Sequence, residues 1–259
     1  MFEEIFSQFY KQALKSKHPA ELAWILIHPV IGILSIGIFA LFLSMRGAPA
    51  NSLFFVVVGA VMWDFYSLSQ KAITYGIMYE IWDGSLKHMF MSKTRIWQFL
   101  VGNALFGLVS SVVASILVAL IAFAVFGFNI FSSGIFLVVG SFSIFTFAIA
   151  VGIIITSFMM WKSSMYMSLT WMMTGLVMVF SGVYYPVQLL PEPIRTLALL
   201  LPSSHAIQGI RSSLGLSEMN VASELTYSLI LSGIYLACSL VFFNFALKKA
   251  RQLGNIDRF

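Results

Sequence analysis

Asp64 and Lys71 stand seven residues apart in an otherwise apolar run, which places them on one face of a helix. Asp64 falls about eleven residues into that run, near mid-membrane if the run spans a bilayer at 1.5 Å per residue. Charges in such surroundings are costly, so each is a candidate for lining a polar pathway or pairing with a polar neighbour. The competing assignment is structural: Asp64 opens onto a water-filled vestibule and Lys71 snorkels toward the inner surface. The remaining inventory of reactive groups is sparse. His18, His28, His88 and His205 lie in four separate segments with no pair at ligand spacing and no His-Glu-x-x-His, so no metal site is expected. No Gly-x-Ser-x-Gly elbow and no carboxylate pair within one segment occurs, and no catalytic residue is assigned. Ser203-Ser204-His205 follows Pro202, where such residues far more often begin a helix than form a nucleophile and its base. No Gly-Lys pair exists for a phosphate-cradling Walker A loop, so any ATP used here is bound by another polypeptide.

The elements that position these residues follow from composition. At 59% hydrophobic, 10% charged and mean hydropathy +0.92, the chain carries far less charge than the roughly 25% of a soluble domain. It is expected to be an integral membrane protein, all-α, one transmembrane domain over residues 1–259. Its 259 residues accommodate six spans of about 20 residues. The expected spans are Trp24–Met45, Leu53–Tyr75, Phe99–Phe126, Ile135–Phe158, Tyr166–Tyr185 and Leu225–Ala246. Residues 1–17 are not expected to act as a signal peptide, because they carry Glu3 and Glu4 and no uninterrupted apolar core. Phe2, Ile5, Phe6, Phe9, Tyr10, Ala13 and Leu14 form a helical stripe, which predicts an interfacial helix within residues 1–22. A cytosolic helix docked on another subunit has the same pattern.

Lys and Arg set the orientation. With both termini cytoplasmic, eleven of the fifteen lie in inner segments and only Arg46, Arg195 and Arg211 in outer ones, with Lys71 in the membrane. This bias accounts for most of the net charge of +5 without a nucleic-acid partner. The lone Cys238 cannot form an internal disulfide.

Two polar segments interrupt the apolar runs. In Tyr79–Phe99, Ile81, Trp82, Leu86, Met89 and Phe90 recur at three-to-four-residue steps, an amphipathic helix capped by Asp83 or Ser85 that rests on headgroups or plugs into a cytosolic partner. In residues 186–214, Pro186 ends the fifth span, Pro191 and Pro193 begin a helix over Ile194–Leu201, and Pro202 stops it. Ser203 then caps another helix over Ala206–Leu214. These pieces are too short to span and too apolar for a solvated loop, so they are expected to dip into the outer leaflet as a plug or rim. Trp63, Phe65, Tyr66, Trp171 and Met172 can face an amphipathic substrate, or serve as ordinary packing or lipid contacts.

The run "YEIWDGSLKHMFMSKTRIWQFLVGN" resembles the acidic-x-x-x-Gly-[Ser/Thr]-Leu and S-x-x-R pattern of membrane subunits of type 2 ATP-binding-cassette exporters. "FSGVYYPVQLLPEPIRTLALLLPSSHAIQGIR" is similar to the same family's order of Ser-Gly, Pro, two Leu-Pro pairs and a closing Arg. The chain departs from the pattern at Lys93-Thr94-Arg95, where many members carry a proline after the serine. The resemblance implies a coupling helix over Glu80–Arg95, with Glu80, Trp82, Asp83, Gly84, Leu86, Phe90 and Arg95 meeting a separate nucleotide-binding ATPase. It also implies an outer re-entrant segment carrying Pro186, Pro191, Pro202, His205 and Arg211, and a pathway between two membrane subunits, as a homodimer or with a closely related permease. ATP and Mg would be held by the partner, with no cofactor on this chain. The expected place is the plasma or inner membrane. The expected task is outward movement of a hydrophobic or amphipathic drug, lipid or lipid-linked saccharide. An ion-coupled secondary transporter using Asp64 and Lys71, and a non-transporting assembly factor or membrane enzyme, are the alternatives.

Overall fold

Apolar runs that cannot bond their peptide groups to water must satisfy them internally, and in this chain they do so as helices. The computed structural model describes residues 2–47, 49, 51–85, 96–162 and 164–252, and nine α-helices occur among them. In chain order these are α1 (Phe2–Lys15), α2 (Pro19–Met45), α3 (Asn51–Trp82), α4 (Ile96–Phe126), α5 (Ile135–Trp161), α6 (Leu169–Phe180), α7 (Glu192–Leu199), α8 (Pro202–Ser213) and α9 (Val221–Gln252). Short 3-10 turns occupy Ile130–Ser133, Ser164–Ser168 and Val187–Leu189. Five helices, α2, α3, α4, α5 and α9, are long and apolar enough to cross a membrane.

Helix α3 is the axis of the molecule. It is mostly buried because α2, α4, α5, α6 and α8 all pack around it, whereas α2, α4 and α9 turn apolar faces outward, as lipid-facing helices do. Helix α5 packs along α9, where Ser143 and Ser228 hydroxyls lie 2.5 Å apart and Ser228 donates to the Pro202 carbonyl of α8 (2.7 Å). These hydroxyls satisfy one another across three helices inside an apolar core. Helix α1 lies on α4 with polar Gln8 and Gln12 turned inward and Phe2, Phe6, Tyr10 and Leu14 exposed. This inverts the arrangement of a soluble helix.

Several boundaries differ from the sequence expectation. The first helix stops at Lys15, and α2 starts at Pro19 with Pro at its first turn, where a missing N–H costs nothing. Helix α3 continues seven residues past the expected end at Tyr75 to Trp82. The segment Tyr166–Tyr185 contains a 3-10 turn and the twelve-residue α6, which rises about 18 Å and ends before Ser181 and the positive φ of Gly182. In the outer segment the first helix is Glu192–Leu199, and Pro202 opens the next helix rather than only ending the previous one. Ser203 therefore sits inside α8 and caps nothing; its hydroxyl meets that of Ser181 at 2.6 Å.

Candidate coupling and pathway site

The C-terminal end of α3 stops by a local rule. Gly84 takes φ +63°, the Gly84 N–H donates to the Ile81 carbonyl (3.2 Å) and the Ser85 N–H to the Glu80 carbonyl (3.0 Å). These two bonds form a Schellman ending, in which the left-handed position favours glycine. The Glu-x-x-x-Gly-Ser spacing thereby gains a physical meaning, because the turn returns the Ser85 hydroxyl to the Glu80 carboxylate at 2.5 Å. Lys11 of α1 donates to the other Glu80 oxygen, also at 2.5 Å, with Glu80 only 2% exposed. One turn on, Lys15 donates to Asp83 (2.8 Å) and lies 4.9 Å from the Tyr79 ring. The Tyr79 hydroxyl donates to Glu21 of α2 (2.5 Å). The hydrogen bond and charge of Lys15 hold the Asp83 carboxyl below its ordinary value. Trp82 projects outward and meets Tyr79 edge-on. Leu86, Phe90 and Arg95, and the helix expected there, lie outside the described residues.

In the middle of α3, Asp64 and Lys71 are both buried and do not form an ion pair with each other. Asp64 makes no hydrogen bond among the described residues. Lys71 places its ammonium 4.3 Å from the Trp171 ring of α6 and 5.6 Å from the Trp24 ring of α2. Beside them Thr174 of α6 donates to the Gln70 carboxamide oxygen (2.6 Å), and the Trp63 indole donates to the Thr174 carbonyl (3.5 Å). Tyr66 is buried against Phe147, and no partner meets its hydroxyl. Trp171 and Met172 are half exposed on the outer face of α6. Trp24, Gln70 and Thr174 were not singled out by the sequence, because cation–π and amide partners from distant helices leave no spacing signal along the chain.

The N-terminal end of α3 is latched by Arg211 of α8, a side chain only 1% exposed. Its guanidinium donates to the carbonyls of Phe55 (3.0 and 3.1 Å), Gly182 (2.8 Å) and Val183 (2.5 Å), and stacks on the Phe55 ring. The planar fork of arginine suits three carbonyls from two elements in a way that a lysine does not. Gly59 makes the close approach possible, since a Cβ there would lie 1.8 Å from the Val183 oxygen. His205 bridges acceptors on both sides: Nδ1 meets Glu224 of α9 at 2.7 Å and Nε2 the Leu199 carbonyl at 2.9 Å. Burial lowers its pKa, but the Glu224 hydrogen bond, the Leu199 carbonyl and the Glu224 charge together raise it above the ordinary value. Neither neighbouring serine meets the His205 ring. Ser204 donates to the Ala198 carbonyl (2.6 Å), which leaves no nucleophile–base pair here. Pro186 and Pro191 precede the 3-10 turn and α7, where a fixed φ suits them.

Among the described residues, no group of three or more His, Cys, Asp or Glu is placed to hold a metal ion. What the arrangement can do is mechanical: one continuous helix carries an ionic clamp at its C-terminal end, two mid-helix charges and an arginine latch near its N-terminal end. The family model described as ABC-2 family transporter protein matches residues 73–244. No curated protein matches the chain.

Proposed function

Because the chain belongs to the ABC-2 family of transporter proteins, we propose that this multi-pass membrane subunit is the permease of an exporter driven by ATP hydrolysed on a separate subunit. The observation that carries the proposal is the unbroken α3, 32 residues from Asn51 to Trp82. At 1.5 Å per residue it is about 48 Å long, more than the roughly 30 Å of the hydrocarbon core, so its last turns project beyond the membrane. That projecting end bears Glu80, Trp82 and Asp83, tied to α1 by Lys11 and Lys15.

In this mechanism an ATPase docks on residues 80–95, with Trp82, Leu86 and Phe90 as its apolar contacts. Closure of the ATPase displaces α3 as a rod, together with α1, and moves Asp64 and Lys71 relative to α2 and α6. The same displacement strains the Arg211 latch at the outer end and shifts the helices of residues 186–214, biasing two packed states. We count α6, with its preceding 3-10 turn and the residues up to Tyr185, as the sixth crossing, with α7 and α8 re-entrant. We place α1 at the inner interface and both termini in the cytoplasm, on the Lys and Arg bias. Two copies, or this chain and a closely related permease, enclose the pathway in the plasma or inner membrane. The cargo is a hydrophobic or amphipathic compound.

The test replaces Trp82, Leu86 and Phe90 together with Ala. The expected result is a folded protein in which transport fails while ATP hydrolysis by the partner persists. Undiminished transport removes the coupling role. A second mechanism, ion-coupled transport through Asp64, draws on that carboxyl's lack of a partner. Asp64→Asn abolishes that mechanism and leaves an ATP-driven one working.

A further inference from the structure

Where α1, α2, α3 and α4 meet, a cleft of about 50 Å³ runs between Lys15 at one end and Lys71 at the other. We propose that this cleft binds the phosphate group of an anionic amphiphile in the leaflet on the α1 side of the membrane.

Charge balance around the cleft supports this. The acids along the cleft and at its Lys15 end are already engaged: Glu21 accepts from Tyr79, Asp83 from Lys15, and Glu80 from Lys11. Asp64, two turns away on α3, acts on Lys71 through space without an ion pair. Lys71 is only 5% exposed; among the described residues its ammonium has no hydrogen bond and no ion pair, and the faces of Trp24 and Trp171 approach it. Burial of an ammonium without a counter-ion in contact is costly. A second donor is also unsatisfied, since the Gln12 Nε2 is buried without a partner and Gln12 lines the same cleft. An ammonium without a contacting acceptor at a cavity, with an unpaired buried amide on a residue of its wall, favours an acceptor-rich, negatively charged group.

Size and depth narrow the class. At about 10–15 Å³ for each water held, a space of about 50 Å³ takes a group the size of a few waters, which suits a phosphate. Lys71 lies nine residues before Glu80 on α3, about 14 Å toward the membrane interior. Tyr75, Tyr79 and Trp24 surround that depth, as aromatic side chains do at the headgroup level. The phosphate sits in the cleft while its apolar tails remain in the leaflet beside the exposed faces of α1 and α2.

The site itself stands on these contacts. Only the identification of its occupant as cargo rests on the exporter function proposed above. The probe is dihexanoyl phosphatidic acid, titrated into the purified full chain in detergent and read by tryptophan fluorescence and native mass spectrometry, with dihexanoylglycerol as the uncharged control. We expect saturable binding of the phosphate probe alone, weakened about tenfold or more by Lys71→Met, the loss of one charged hydrogen bond. Gln12→Leu weakens it several-fold and Lys71→Arg retains it. The arginine variant and the Gln12 variant keep the test open if Lys71→Met does not fold. Equal binding of both probes, or binding indifferent to Lys71 and Gln12, overturns the proposal. Native mass spectrometry of protein taken from its own membranes then separates the sources. A phospholipid retained through ATP turnover is a resident lipid, and a phosphate amphiphile lost on turnover is cargo; both support the site. Absence of any phosphate-bearing molecule, together with no binding of the probe, overturns it.

Discussion

Substituting Lys11 with Met will cost more stability than substituting Glu80 with Gln, although both break the same contact. The asymmetry comes from burial: the Lys11 side chain is 42% exposed and that of Glu80 3%. In Lys11→Met, the Glu80 carboxylate stays buried with only the Ser85 hydroxyl to satisfy it. Stranding one partner of a fully buried pair costs about 3–5 kcal/mol. The exposure of Lys11 screens the pair toward the roughly 0–1 kcal/mol of surface bridges, so about 1–3 kcal/mol is expected. In Glu80→Gln the amide oxygen still accepts a hydrogen bond and Lys11 relaxes into solvent, a loss of about 0–1 kcal/mol. At about 2–4 °C per kcal/mol for a chain of this size, Lys11→Met lowers the unfolding midpoint by roughly 2–12 °C and Glu80→Gln by about 4 °C at most. The double variant recovers most of the Lys11→Met loss, because no charge is then left behind. Thermal unfolding in detergent, followed by the fluorescence of the six tryptophans, measures all three. A Glu80→Gln loss larger than that of Lys11→Met, or a double variant worse than either, refutes the buried clamp.

Gly59→Ala places a methyl group against the Val183 backbone, which cannot yield as a side chain would, and should destabilise by about 1–3 kcal/mol as overpacking. An unfolding midpoint equal to wild type contradicts the close approach of α3 to that turn. His205, whose folded-state pKa is raised above 6.5, contributes stability that is full below 6.5 and is lost as pH rises through its folded value. Unfolding midpoints should therefore fall as pH rises past 6.5 and through the folded value in the wild type and lose that dependence in His205→Gln. A wild-type profile unchanged by the substitution contradicts the Glu224 bridge.

The apolar runs were legible because lipid imposes one rule on every peptide group, and α2, α4, α5 and α9 lie where hydropathy places them. The C-terminal end of α3 was not legible. Hydropathy fades past Tyr75, yet the helix continues because Glu80 and Asp83 are paired by lysines of α1, some seventy residues earlier. The prolines of residues 186–214 announced two short helices correctly. They did not reveal that Pro202 opens α8, which leaves Ser203 free to bond Ser181. Asp64 and Lys71 stood out because charge is rare in such runs, while the Trp24 and Trp171 rings around Lys71 come from separate helices and are visible only in three dimensions.

Dependence on a separate ATPase is tested most directly by gentle purification of the tagged chain from its own membranes, with mass spectrometry of the companions and an assay of ATP hydrolysis. A stoichiometric subunit bearing a Walker A loop, with ATP turnover that persists while transport is lost when residues 80–95 are altered, is the predicted result. A chain that repeatedly emerges alone and without ATP hydrolysis contradicts it.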